Sequence, residues 1–214
     1  MRASFPALYA ILDPDLVTGS VEALAAELAS AGVQLIQLRD KHSSARRIYE
    51  PAGRLSALLS PRGVRFIVND RPDIAAMVGA GGVHVGQDDM PAEEARKICR
   101  TPSWVGVSTH NPEQLRAADA TSADYIAVGP IFRTGTKENP DPVVGLEFVR
   151  LARVMTTKPL VAIGGITLDT APDVWRAGAD SVAIIRDLIA SPDPAQRARD
   201  YLGVAERVRA EQGG

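Results

Sequence analysis

Apolar residues along this chain fall into two rhythms. Short unbroken runs occupy positions 8–12, 34–38, 65–68, 82–85, 104–107, 125–128, 160–163 and 181–184. Runs of that length, rich in Val, Ile and Leu, suit strands buried on both faces, as in a parallel sheet. Between most of them the spacing changes to three and four. "SVEALAAELASAG" sets Val21, Leu24, Ala25 and Leu28 on one helical face, and "NPEQLRAADA" adds Asn111 as an N-cap and Pro112 as the first helical residue.

The two rhythms join in a recurring phrase: a small residue or glycine, a polar or small residue, an apolar run, then a polar or glycine-rich turn. It reads "AGVQLIQLRDK", "GAGGVHVGQDD", "SADYIAVGP" and "AGADSVAIIRD". The glycine suits the C-terminus of a helix and the apolar run the strand that follows. Eight such units in series predict a closed (β/α)8 barrel, the TIM-barrel architecture, with an open doubly wound sheet as the alternative. No linker or low-complexity segment divides the 214 residues, so a single domain spanning 1–214 is expected, with the stretch from Pro192 onward forming a last outer helix.

In such a barrel, functional residues sit where the strands end at their C-terminal side. Strands two to eight end in "QLRDK", "VNDR", "GQDD", "GVSTH", "GPIFRTGTKENPDP", "GGI" and "IIRD". Asp70 and Asp89 follow neighbouring strands, and paired carboxylates beside a phosphate-binding surface suit Mg²⁺. Asp70 also reads as a helix N-cap and Asp89 as a solvated loop acid. Arg39, Lys41 and Lys137 converge on the same mouth and together could hold a polyphosphate, although each alone also reads as a surface charge. The glycines of "IGGI" and the segment after strand eight match the usual phosphate position of this fold. His84, inside a strand, reads first as a hydrogen-bonded core histidine. His110 reads as a loop-orienting group. No catalytic triad spacing or helical His-Glu motif is present.

Composition narrows the partners. The formal net charge is -2 and basic residues form no long block, which argues against nucleic acid and against a polybasic membrane surface. The first residues carry too short an apolar run for a signal or a membrane span, so a cytoplasmic location is expected. Cys99, the one cysteine, reads as a small buried thiol.

The phrases "GVQLIQLRDK", "FIVNDRPDIA", "GVHVGQDDMP", "VGVSTHNPEQ", "YIAVGPIFRTGTK", "GLEFV" and "VAIGGI", in this order and spacing, resemble the thiamine-phosphate synthase family over almost the whole chain. The resemblance implies a (β/α)8 transferase that joins a hydroxymethylpyrimidine diphosphate to a hydroxyethylthiazole phosphate, giving thiamine monophosphate and pyrophosphate. It implies that Gln37, Arg39, Lys41, Asn69, Ser108 and Lys137 bind the pyrimidine diphosphate, with Leu38 and Asp40 in the same substrate-binding segment, and that Arg39, Lys41, Ser108 and Lys137 act in catalysis. Asp70 and Asp89 match the Mg²⁺ ligands. Thr134, Gly135, Thr136 and Gly165, with the backbone at Ile185 and Arg186, match the thiazole-phosphate site. Arg186 stands where many relatives carry serine, and Arg133 and Gly135 also depart from the common pattern. A thiazole tautomerase of the same fold and a noncatalytic phosphate-ligand binder are the competing readings. Association into a homo-oligomer, and whether the thiazole carries a carboxylate, stay open. The loop 129–142 is expected to order when both phosphates are bound.

Overall fold

The computed structural model describes residues 5–135 and 142–213. The eight expected runs are strands: β1 (Leu8–Leu12), β2 (Leu35–Leu38), β3 (Arg65–Asn69), β4 (Gly82–Val85), β5 (Trp104–Thr109), β6 (Tyr125–Val128), β7 (Leu160–Ile163) and β8 (Ser181–Ile184). Each pairs in parallel with the next, and Leu8 opposite Val182 joins β1 to β8, so the sheet closes. The open doubly wound alternative is thereby excluded. Strands β3 and β5 run one and two residues beyond the apolar signal, carrying Asn69, Ser108 and Thr109 into the ladder.

The helices between them are α1 (Val21–Ser30), α2 (Ala45–Leu59), α3 (Pro72–Met77), α4 (Ala92–Ile98), α5 (Pro112–Asp119), α6 (Gly145–Met155), α7 (Ala171–Arg176), α8 (Arg186–Ile189) and α9 (Pro194–Gly213). Local chemistry starts α5 where the sequence predicts and caps α1 as well. Ser20 accepts from the amides of Glu22 and Ala23 at the start of α1, and the Asn111 side chain accepts from Gln114 at the start of α5. Leu24, Ala25 and Leu28 are buried as the helical face requires, with Val21 at its edge. Each large aliphatic side chain so buried contributes about 1.5–3 kcal/mol before conformational entropy is set against it.

Strand alternation divides the core in two. Leu8, Ala10, Leu12, Ile36, Leu38 and Val68 point outward to the helices. Tyr9, Ile11, Leu35, Ile67, Tyr125 and Val161 point into the barrel. Tyr125 fits there because Gly106 lies opposite; a Cβ on Gly106 would fall 2.1 Å from the tyrosine ring. Phe5 stacks on Trp104 at 5.1 Å and the Arg65 guanidinium covers the same indole at 3.9 Å, closing the floor. Cys99 is buried and donates to the Pro72 carbonyl, as a quiet structural thiol would.

The recurring phrase has a structural reason at the N-terminal end of the barrel. Asp124 and Asp180, each one residue before its strand, accept the backbone N-H of Val105 and Leu160 in the preceding strand. Arg96 and Arg153 bind the same carboxylates. One acidic side chain thus ties two strands to an outer helix, and does so twice.

Candidate active site

The C-terminal mouth holds two adjoining cavities. One, of about 410 Å³, draws its polar lining from β1 to β5 and the segments after them, with Gln37, Lys41, Asn69, Asp70, His84 and Asp89 among others. The second, of about 460 Å³, lies over β6 to β8 and is lined by Arg133, Thr134, Gly135, Gly165, Ile185 and Arg186 among others. Arg39, Ser108, His110, Ile163 and Ala183 line both.

In the first cavity, parallel pairing sets Asn69 opposite His84. Asp70 follows directly, held by its N-H on the His84 carbonyl at 2.8 Å. Its φ of 61° lies in the left-handed region, which Asp tolerates better than bulkier residues. Asp70 is not the N-cap of α3; Arg71 holds that position, without a side-chain cap bond. Its carboxylate meets Lys41 Nζ at 2.6 Å and lies within hydrogen-bonding reach of Asp89. Asp89 Oδ2 is oriented by the Gly86 N-H at 2.8 Å. Burial, followed by the neighbouring Asp89, outweighs Lys41 and raises the Asp70 pKa to about 6.

Two crowded carboxylates of this kind fit a divalent cation, which would relieve the repulsion between them. Among the described residues no group of three His, Cys, Asp or Glu side chains could hold a metal. The donor set therefore fits an ion that takes much of its coordination from water and phosphate oxygens, the habit of Mg²⁺. Asn69 adds a donor to this site: its Nδ2 is buried with no hydrogen-bond partner among the described residues, and the residue lines this cavity.

The expected cations are not all poised in the same way. Arg39 donates to Asp13 Oδ2 at 2.6 Å, an ion pair sheltered from water. Lys41 is held by Asp70. Lys137 and Thr136 lie outside the described residues, as do the other residues from 138 to 141 of the segment expected to order on binding. Leu38 projects into the outer core, so only its backbone can serve a ligand. The Asp40 carboxylate accepts the amides of His42 and Ser43 and shapes the turn that carries Lys41.

The second cavity is built by two loops that touch. Ile131 N-H donates to the Ile163 carbonyl and Phe132 N-H to that of Gly164, each at 2.9 Å. The approach is so close that a Cβ on Gly165, at a φ of +66°, would lie 2.4 Å from the Arg133 carbonyl oxygen. Thr134 and Gly135 come next along that loop. Arg186 reaches across from α8 and donates to the Gly135 carbonyl at 3.1 Å.

Between the cavities, His110 Nδ1 faces the Gly129 carbonyl at 2.6 Å, so this nitrogen carries a proton. The His110 backbone N-H donates to Gln114 Oε1 at 2.7 Å, which orients the loop. Ser108 is met by His84 Nε2 at 2.8 Å, and the Ser108 carbonyl accepts from Gln87 Nε2 at 2.6 Å. Sequence reasoning passed over Asp13, Gln87, Tyr9 and Tyr125. Asp13 carried a signal, since it follows strand one as other polar residues follow the other strands. The tyrosines carried none, because they look like core aromatics.

A closed parallel barrel with a bipartite, cation-lined mouth and a carboxylate pair defines an enzyme of the (β/α)8 class that handles phosphorylated small molecules. The model of the family described as thiamine monophosphate synthase matches residues 8–188. A thiamine-phosphate synthase of Koribacter versatilis (strain Ellin345) is 50% identical over 204 residues, 93% of this chain and 95% of that protein. A thiamine-phosphate synthase of Methanospirillum hungatei is 44% identical over 195 residues, 91% of this chain and 95% of its own length. The solved thiamine phosphate pyrophosphorylase of Pyrococcus furiosus superposes with a TM-score of 0.85 at 32% identity, covering 94% of this chain and 96% of that one. The chain belongs to the thiamine-phosphate synthase family.

Proposed function

We propose that this protein is a transferase that condenses 4-amino-2-methyl-5-hydroxymethylpyrimidine diphosphate with hydroxyethylthiazole phosphate, or its carboxylated form, to give thiamine monophosphate and pyrophosphate. The observation that carries this reading is the pair of adjoining cavities with one shared wall, each with its own polar equipment. A reaction joining two substrates needs two sites whose occupants touch.

In this reading the pyrimidine diphosphate occupies the cavity of Gln37, Asn69 and Asp70. Asn69 Nδ2 is a ready donor for it. Asp70 and Asp89 would hold Mg²⁺, which when bound neutralises charge on the departing diphosphate. Arg39 presents a planar fork to that group and Lys41 a point charge, with Lys137 supplying another from the loop after β6. The electron-rich aminopyrimidine can release its diphosphate to leave a stabilised benzylic-type cation, which the thiazole nitrogen then captures. Such a path needs neither an enzyme nucleophile nor a strong base; it needs charge opposite the leaving group and close positioning of the two partners. Leu38 and Asp40 contribute through the backbone and turn of their segment. The thiazole phosphate would lie over the touching loops, against Thr134, Gly135, Thr136 and Gly165 and the backbone at Ile185 and Arg186.

The site works on small molecules carried in solution, and we place the protein in the cytoplasm as one domain. Incubation with both phosphorylated substrates and Mg²⁺, with thiamine monophosphate read by fluorescence after oxidation, tests the proposal. Absence of product with active substrate controls would refute it. The tautomerase reading finds less support, since an isomerase has no use for the carboxylate pair beside Lys41. Thiazole isomerisation without a pyrimidine substrate would restore it.

A further inference from the structure

An unbroken line of hydrogen bonds crosses the barrel beneath the mouth and joins the two ends of the first cavity. Gln37 Nε2 on β2 meets Tyr9 Oη on β1 at 2.5 Å. Tyr9 Oη meets Tyr125 Oη on β6 at 3.0 Å. Tyr125 Oη meets His84 Nδ1 on β4 at 3.0 Å, and His84 Nε2 meets Ser108 Oγ on β5 at 2.8 Å. Tyr9, Gln37, Tyr125 and His84 are buried, and the terminal residues Gln37 and Ser108 both line the cavity.

Each of these four contacts needs one proton between its heavy atoms, and that requirement couples them. Burial raises the pKa of both phenols, so each tyrosine brings one proton and can donate once. An amide nitrogen can only donate. With Gln37 Nε2 donating to Tyr9, the Tyr9 proton goes to Tyr125 and the Tyr125 proton to His84 Nδ1. That nitrogen is then bare. The single proton of a neutral imidazole sits on Nε2 and is donated to Ser108 Oγ. The Ser108 hydroxyl, already an acceptor on its inner side, directs its own proton elsewhere. A reversed order is equally self-consistent, but only with the amide oxygen of Gln37 facing Tyr9. With Gln37 Nε2 facing Tyr9 an imidazolium does not fit, because the Tyr125 proton and the Nδ1 proton would then compete for one contact.

We propose that this chain has a fixed proton direction, set by Gln37, that makes Ser108 a hydrogen-bond donor toward the cavity and leaves Gln37 Oε1 as an acceptor. No hydrogen bond to the described residues occupies that oxygen. Tyr125, which does not line the cavity, is a positioning residue, and Tyr9 and His84, which do line it, set the proton order that Gln37 and Ser108 present to a ligand. The ligand class follows. One end of the cavity selects a donor such as a ring amino group, and the other selects an anionic or neutral acceptor such as an oxygen of a diphosphate. Naming those groups rests on reading this cavity as the pyrimidine diphosphate site; the proton direction itself does not. An oxo group in place of the amino group would set two acceptors against each other at Gln37, a mismatch that buried polar sites punish heavily.

Nitrogen-15 labelled histidine and long-range proton-nitrogen correlation spectra distinguish the two imidazole tautomers without any substrate. The three histidines, His42, His84 and His110, are assigned by comparison with H42Q and H110Q. In the wild-type protein His84 is expected as the Nε2-H tautomer. The Nδ1-H tautomer, or a doubly protonated ring, at neutral pH would overturn the proposal. Gln37→Glu replaces the donor with an acceptor that draws the Tyr9 proton, and His84 is expected to switch to Nδ1-H, although the two side chains do not touch. An unchanged tautomer in folded Gln37→Glu would also overturn it. If that variant does not fold, the wild-type spectrum alone decides. A second measurement addresses the ligand. The 4-oxo counterpart of the aminopyrimidine diphosphate is expected to bind the wild-type protein about 10²-fold more weakly than the amino compound. Equal binding would overturn the assignment at Gln37, while failure of both compounds to bind would instead refute the substrate reading and leave the spectra to judge the chain.

Discussion

Lys41 Nζ and Asp70 Oδ2 lie 2.6 Å apart at the rim of the first cavity, so a lysine suited to a diphosphate is held by a carboxylate suited to a metal. Either ligand must draw one member away from the other. Removing the carboxylate charge therefore has opposite effects on anion binding according to whether Mg²⁺ is present. Without divalent ions, Asp70→Asn is expected to bind inorganic pyrophosphate about 5-fold or more tightly than wild type, because repulsion falls and Lys41 is released. With Mg²⁺ the order inverts. Titration calorimetry in chelator and in Mg²⁺ checks both arms, and a variant weaker in each would contradict the shared role.

The same carboxyl gives a pH dependence with a definite sign. Its folded pKa, raised to about 6 by burial and by Asp89, exceeds that of an unfolded Asp. Between about pH 4 and 6 the folded state then binds more protons than the unfolded chain. This group's stabilising contribution is present at the acid end and is lost as pH rises through about 6. In chelator, Asp70→Asn is expected to flatten that part of the profile and to be the more stable protein at pH 7–8, by on the order of 1 kcal/mol or more. Asn also accepts the left-handed backbone at this position. Calorimetric melting across pH, wild type against variant, provides the check.

Asp13 orients Arg39 from the end of β1, and both side chains are largely sheltered. Asp13→Ala leaves a guanidinium without its partner and is expected to cost about 2–4 kcal/mol in denaturant unfolding. Because Arg39 lines both cavities, kcat/KM is expected to fall for both substrates, by about 10-fold or more. A loss confined to one substrate would place Arg39 in one half only.

At the opposite end of the barrel, Asp180→Ala removes the acceptor of the Leu160 N-H and the partner of Arg153. The expected cost is about 1–3 kcal/mol, with kcat unchanged in the folded fraction. Chemical denaturation and steady-state kinetics on the same preparation separate the two effects.

Some of these features are legible in the sequence and others are not. The strands are, because doubly buried strands write continuous apolar runs, and closure follows from eight units in series. The neighbouring placement of Asp70 and Asp89 is legible too, since parallel pairing brings successive strand ends together. What local pattern does not encode is who holds whom. Asp13 and Arg39 are 26 positions apart, and nothing near either announces the pair. Tyr9 and Tyr125, 116 positions apart, look like ordinary core residues until the barrel closes and their hydroxyls meet. The N-cap reading of Asp70 fails for a related reason: its side chain is drawn to Lys41 and Asp89 across the mouth rather than to the helix beginning beside it.

Arg39, Ser108 and His110, with Ile163 and Ala183 beneath them, line both cavities and form the partition between them. Substrate scope in such an enzyme is inherited as a couple. A change on the partition that admits a bulkier partner on one side alters the grip on the other, whereas changes at Gly165 or Asp89, each lining one cavity alone, can be explored singly. Engineering toward new heterocycles would do well to begin at the outer walls and leave the partition for last.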